Sequence, residues 1–128
     1  DTLSLHDALP IFNRKEAKDH GEGGVLVGAA VEGKKVWIID DVITAGTAIR
    51  EVVTILKNAG AQIAGVLVAL DRQEKGQGDL SAIQEVQKEL EIPVHALITM
   101  KDLMNYLDTK GEKDALAKME AYRVKYGI

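Results

Sequence analysis

An α/β fold built on a parallel sheet is predicted by three features of the chain. Short apolar runs alternate with segments whose apolar residues recur at helical spacing, the signature of β-α-β construction. The run Val36, Trp37, Ile38 and Ile39 ends in two adjacent acids, Asp40 and Asp41. Open α/β sheets bind ligands at the carboxyl ends of their strands, which is where these carboxylates fall. A small turn of Thr44, Ala45, Gly46, Thr47 and Ala48 then leads straight into a helix-patterned segment.

Taken in order, residues 1–11 lack an initiator methionine and share no periodicity with the rest of the chain. They read as a non-native leader joined to residues 12–128. Residues 12–24 are charged and end in glycines, which reads as a mobile loop. Residues 25–31 form a strand, and Glu32, Gly33 and Lys34 a tight turn. Residues 36–40 make the central strand, an apolar run suited to burial on both faces. Thr44 or a neighbour caps a helix with the apolar stripe Ile49, Val52, Val53, Leu56 and Ala59, stopped by Gly60. Residues 63–70 form a second buried strand and close a right-handed β-α-β unit. Residues 71–79 are a charged loop at that strand's carboxyl end. Ser81 with Gln84 makes a capping box for a helix that turns Ile83, Val86 and Leu90 inward. Residues 93–98 are a third strand, with Pro93 at its first position, where proline is tolerated. Thr99 with Asp102 starts a helix bearing Leu103, Met104 and Leu107. Leu116, Met119, Tyr122 and Tyr126 line a terminal helix.

Composition narrows the function classes. The 128 residues suffice for one domain with a real core. A net charge of −4 argues against nucleic acid or an anionic membrane as partner. The absence of cysteine excludes disulfide and thiolate chemistry and fits a cytoplasmic protein. No apolar stretch approaches the ~20 residues needed to span a bilayer.

Three groups of residues carry chemistry. Asp40 and Asp41 present carboxylates beside a turn whose N–H groups and hydroxyls form an anion cradle, with Gly46 allowing close backbone approach. Acids for sugar hydroxyls next to a phosphate cradle point to a phosphorylated ribose. The dinucleotide pattern G-x-G-x-x-G and the P-loop pattern are both absent. Arg14, Lys15, Lys18 and His20 crowd one segment of an otherwise acidic chain, as in a loop that closes over a polyphosphate. Arg72 follows a buried strand, where its planar fork suits a carboxylate or a pyrimidine edge, or else an ion pair with Asp71 or Glu74.

Residues 40–48 resemble the phosphoribosyl-pyrophosphate (PRPP) motif of the type I phosphoribosyltransferases. From Phe12 to about Leu107 the chain is similar to the bacterial orotate phosphoribosyltransferases, and the terminal helix fits that family's tail. The matching stretches are Arg14, Lys15, Glu16, Ala17, Lys18, Asp19, His20 and the glycines after it; residues 40–48; and Leu70, Asp71, Arg72, Gln73 and Glu74. The resemblance implies a Rossmann-like parallel-sheet core and transfer of phosphoribose from PRPP to orotate, in pyrimidine synthesis. Asp40 and Asp41 would hold the ribose hydroxyls and stabilise charge on the sugar ring. Val42, Ile43, Thr44, Ala45, Gly46, Thr47 and Ala48 would hold PRPP, with the 5′-phosphate on residues 44–48. Thr44 and Arg72 would touch orotate. Arg14, Lys15, Lys18 and His20 would form the closing loop, with Lys18 nearest the chemistry. Residues 14–20 would be shared across a homodimer. Magnesium would arrive on PRPP oxygens, with no metal ligands assigned in the chain.

The family also carries roughly a further half-domain before Phe12, with an orotate-covering hood and a pyrophosphate-gripping loop. The chain is therefore expected to be the C-terminal part of such a domain, inactive alone, with residues 25–31 or 36–39 short of strand partners. Two other readings are a non-catalytic PRPP-binding regulator and a phosphoribosyltransferase for another base. The first lacks a basic helix-turn-helix candidate. The Arg72 segment and the residue 14–20 segment argue against the second.

Overall fold

A computed structural model describes residues 11–18 and 24–128. The elements are β1 (Ile11–Lys18), β2 (Gly24–Gly28), β3 (Lys35–Asp40), α1 (Thr47–Asn58), β4 (Gln62–Asp71), α2 (Ala82–Leu90), β5 (Val94–Thr99), α3 (Met100–Thr109) and α4 (Lys113–Tyr126). Strands β3, β4 and β5 form a parallel sheet with β4 in the middle. Their carboxyl ends therefore emerge along one edge, with Asp40 opposite Val68 and Asp71 opposite Thr99. Strands β1 and β2 form a separate antiparallel pair, with Ile11 facing Gly28.

The core lies between the sheet and two helices. Ile49, Val53 and Leu56 sit on one stripe of α1, spaced so that they share a face. They meet Ile38, Val66, Val68 and Val94 from the sheet and Ala82, Ile83 and Val86 from α2. Val66, Val68 and Val86 are fully buried, each worth on the order of 1.5–3 kcal/mol relative to an exposed side chain. Helices α2 and α3 begin with capping boxes, Ser81 with Gln84 and Thr99 with Asp102, as the local sequence predicts.

Several expectations are corrected. Residues 12–18, expected as loop, are paired strand, with an irregular register between Asn13 and Lys18. Backbone pairing to β2 overrides the charged composition, and a charged segment carries no local mark of its partner. Ile11, grouped with the leader in sequence, opens this strand and packs on the core. The strand expected at 25–31 spans Gly24–Gly28 instead, ending where Gly28 takes φ 117°. β3 is an edge strand of the described sheet, not its centre. Among the described residues it is also covered on one face only. Ile38 is buried, whereas Trp37 is 51% and Ile39 77% exposed. Leu97 of β5 is exposed as well. The expected shortage of strand partners is thus seen at β3 among the described residues. No buried residue lies on α4, although Leu116 and Met119 are half-covered. No helix among the described residues is long and apolar enough to cross a membrane.

Helix α1 starts without the side-chain cap expected from Thr44 or a neighbour. Its N-cap is Gly46, with φ 77° and ψ 8° and no side-chain hydrogen bond. That left-handed conformation penalises any residue with a Cβ. A Cβ here would also lie 2.7 Å from Val86 Cγ2. Gly33 has a similar φ of 69° but nothing within 4 Å of an added Cβ. Gly46→Ala is expected to lower stability by about 1–3 kcal/mol, and Gly33→Ala by less. Urea-unfolding midpoints of the two variants measure the difference, and equal midpoints would refute the packing contribution at Gly46.

Candidate functional site

Asp40 is the last residue of β3 and Asp41 the first beyond it. The Asp41 N–H donates to Asp40 Oδ1 at 2.9 Å, and the Val42 N–H donates to Asp41 Oδ1 at 2.7 Å. The Asp41 carbonyl accepts from the N–H groups of Ala69 and Leu70 at 3.0 and 3.1 Å, which ties the chain leaving β3 to the end of β4. The Val42 N–H holds the Asp41 carboxyl below the ordinary carboxylate range. Asp41 is exposed, so its carboxylate is open to a ligand.

The following turn is anchored by Ile43, which is buried in the core. Thr44, Ala45, Thr47 and Ala48 are exposed, and Gly46 is buried beneath them. The bond from the Arg50 N–H to the Gly46 carbonyl, 3.0 Å, is the first of the helix. Helix geometry leaves the N–H groups before it without intrahelical partners, and the helix dipole adds partial positive charge at the same place. An exposed helix start of this kind suits an anion.

Sequence reading missed Arg50. Its Nη1 donates to the Ala45 carbonyl at 2.6 Å, while Nε and Nη2 donate to Glu89 Oε2 at 3.0 and 2.6 Å. The Glu89 carboxyl is held below its usual range by this guanidinium. Glu89 lies on α2, far along the chain, so no local spacing signals the pairing.

The Arg72 segment is braced from three sides. Asp71 Oδ1 accepts from the Gln73 N–H at 2.8 Å, and Gln73 Oε1 accepts from the Lys101 N–H of α3 at 3.1 Å. The Lys75 N–H donates to the Tyr126 carbonyl at 2.9 Å, and the Ile128 N–H donates to the Gln73 carbonyl at 3.0 Å. Tyr122 Oη donates to Glu74 Oε1 at 2.7 Å, and Glu74 Oε2 lies 3.3 Å from Arg72 Nη2. The ion pair weighed in sequence as an alternative role for Arg72 is therefore present. Arg72 Nε is nonetheless buried and without a partner among the described residues.

Arg72 and Thr44 line one cleft with Ile43, Asp71, Gln73 and Glu74. The cleft measures about 70 Å³, well short of the roughly 300–1,000 Å³ of a complete small-molecule pocket. Arg14, Lys15 and Lys18 lie on β1. His20 falls outside the described residues.

The family profile described as phosphoribosyl transferase domain matches residues 9–97. The chain is 92% identical over 117 residues to an orotate phosphoribosyltransferase of Acinetobacter baumannii, covering 91% of this chain and 54% of the relative. It is 56% identical over 117 residues to one of Saccharophagus degradans, with the same coverage of each chain. The crystal structure of the Francisella tularensis orotate phosphoribosyltransferase superposes with a TM-score of 0.78 at 40% identity, covering 95% of this chain and 57% of that one. The chain spans about half the length of the curated relatives it matches. Its parallel sheet with flanking helices is that of the type I phosphoribosyltransferase fold, and the chain belongs to the phosphoribosyl transferase domain family.

Proposed function

We propose that this chain carries the PRPP- and base-binding wall of an orotate phosphoribosyltransferase, a cytoplasmic enzyme of pyrimidine synthesis. The observation that carries the reading is the convergence of the acid pair, the helix-start turn and Arg72 on one sheet edge, with Thr44 and Arg72 lining one cleft. The high identity to orotate phosphoribosyltransferases supports the choice of base.

In this reading residues 44–48 hold the 5′-phosphate, and Val42 and Ile43 set the turn's entry. Asp40 and Asp41 accept hydrogen bonds from the ribose hydroxyls. Deprotonated N1 of orotate forms a bond to C1′ as the bond from C1′ to the pyrophosphate oxygen breaks, so the electron pair leaves with pyrophosphate. Positive charge grows on the ring in that step, and two fixed carboxylates nearby stabilise it. Arg72, which lines the cleft, takes the carboxylate or ring edge of orotate, and Thr44 touches the same base. Arg14, Lys15, Lys18 and His20 form a lid that serves the neighbouring subunit of a homodimer. Two adjacent carboxylates suit magnesium, which keeps several waters and binds through one or two carboxylates plus substrate phosphates. When bound, the ion would neutralise charge on pyrophosphate.

Asp41 must be ionised for this role. Its folded pKa lies below the ordinary 3.8, so the carboxylate persists throughout the neutral range. Its contribution to stability is present above 3.8 and is lost as pH falls through the depressed folded value.

The tests belong in the full-length Acinetobacter baumannii relative carrying this chain's matching residues. Asp40→Asn and Asp41→Asn are each expected to cut kcat by roughly 10²-fold while leaving the unfolding midpoint nearly unchanged. Near-normal turnover removes that residue from the site. Arg72→Lys is expected to raise the orotate KM about tenfold, because an ammonium cannot replace a fork, with little change in the PRPP KM. Equal effects on both substrates place Arg72 in its ion pair with Glu74 alone.

A further inference from the structure

We infer that Arg50, held by Glu89, is a positioning residue that sets the conformation of the phosphate turn; the inference rests on the phosphoribose reading above. The described chain has no cis peptide bond. In a trans peptide the carbonyl and the following N–H point in opposite directions. The Ala45 carbonyl is held by Arg50 Nη1 at 2.6 Å, so the Gly46 N–H is turned away from the guanidinium. One side chain thereby decides which polar group of that peptide is offered to an anion. A carbonyl rotated into the cradle would repel phosphate, whereas an N–H there binds it.

Arg50 suits positioning better than direct contact with a ligand. Nη1 is engaged by Ala45, and Nε and Nη2 are engaged by Glu89. The guanidinium also packs close under the turn, and a Cβ on Gly46 would stand 3.0 Å from Nη1. A side chain at Gly46 would therefore crowd the guanidinium as well as strain the backbone angle. The link runs from α2 through Glu89 and Arg50 to the turn, across three elements that no local sequence pattern joins. The ion pair is substantially exposed, at 32% and 53% for the two side chains. Such pairs contribute little to global stability, so its effect falls on the local shape of the turn.

The experiment compares Arg50→Ala, Arg50→Lys and Glu89→Gln in the full-length relative carrying this chain's residues. Its readouts are calorimetric PRPP affinity, the KM for each substrate, and the Gly46 amide resonance without ligand. Arg50→Ala is expected to raise the PRPP KM about tenfold, with the orotate KM within about twofold. Arg50→Lys is expected to recover part of the loss, because an ammonium reaches the carbonyl but cannot fork onto Glu89. Glu89→Gln is expected to weaken PRPP binding by roughly three- to fivefold and to shift the Gly46 resonance. The last variant decides between positioning and contact, and it keeps the inference testable if Arg50→Ala fails to fold. Were Arg50 a phosphate ligand, releasing it from Glu89 would tighten PRPP binding. Tighter binding in Glu89→Gln, or an unchanged PRPP KM in Arg50→Ala, overturns the inference while leaving the phosphoribose reading intact. Failure of the unsubstituted protein to bind PRPP overturns both.

Discussion

The site depends first on one main-chain oxygen. The Asp41 carbonyl receives two N–H groups from β4, those of Ala69 and Leu70. By that contact the chain leaving β3 is held beside the middle strand after regular pairing has ended. The acids, the turn and the start of α1 all lie within a few residues of it. A shift of this junction would move every one of them relative to Arg72, which leaves the end of the same middle strand. Buried backbone groups seldom go unpaired, and here the pairing also fixes the distance between the acid pair and Arg72.

The two halves of the cleft are stabilised by different physics. The turn side is anchored by apolar burial, through Ile43, Ile49 and the Val86 side chain beneath Gly46. The Arg72 side is held by hydrogen bonds, several of them from main-chain groups of α3 and of the residues after α4. Helix α4 has no buried residue, so packing is a small part of what docks it. Tyr122 on Glu74 and the main-chain pairing of residues 73–75 with 126–128 hold it in place. Polar bracing of this kind orients a side chain without filling the cleft with apolar surface.

Local signals were the legible ones. Ser81 with Gln84 and Thr99 with Asp102 fold as capping boxes because both partners lie within one turn. The stripe Ile49, Val53 and Leu56 was visible for the same reason. The sheet-edge position of Asp40 followed from the strand pattern, and Thr44 and Arg72 do share a cleft. What escaped was decided at long range. Residues 12–18 become strand only through pairing with β2. The edge position of β3 depends on which strands flank it, which an apolar run cannot reveal. Arg50 carries no local signal, because its meaning lies in Glu89 and in a carbonyl of the preceding turn. The cap expected at Thr44 or a neighbour lies instead at Gly46, which makes the helix start by backbone angle with no side-chain hydrogen bond.

The open face of the sheet has an optical consequence. Trp37 is the chain's single tryptophan. It lies across Gly65, where the absent side chain leaves room for the indole, with its ring 6.0 Å from that of His95. Half of Trp37 meets solvent. Its emission therefore reports one place only, the uncovered side of β3. Anything that seats itself there, whether another copy or a further segment of polypeptide, displaces water from the indole and shifts that emission toward the blue. The chain thus carries its own reporter on the face that is distant in chemistry from the cleft, and the two regions can be followed separately in one sample.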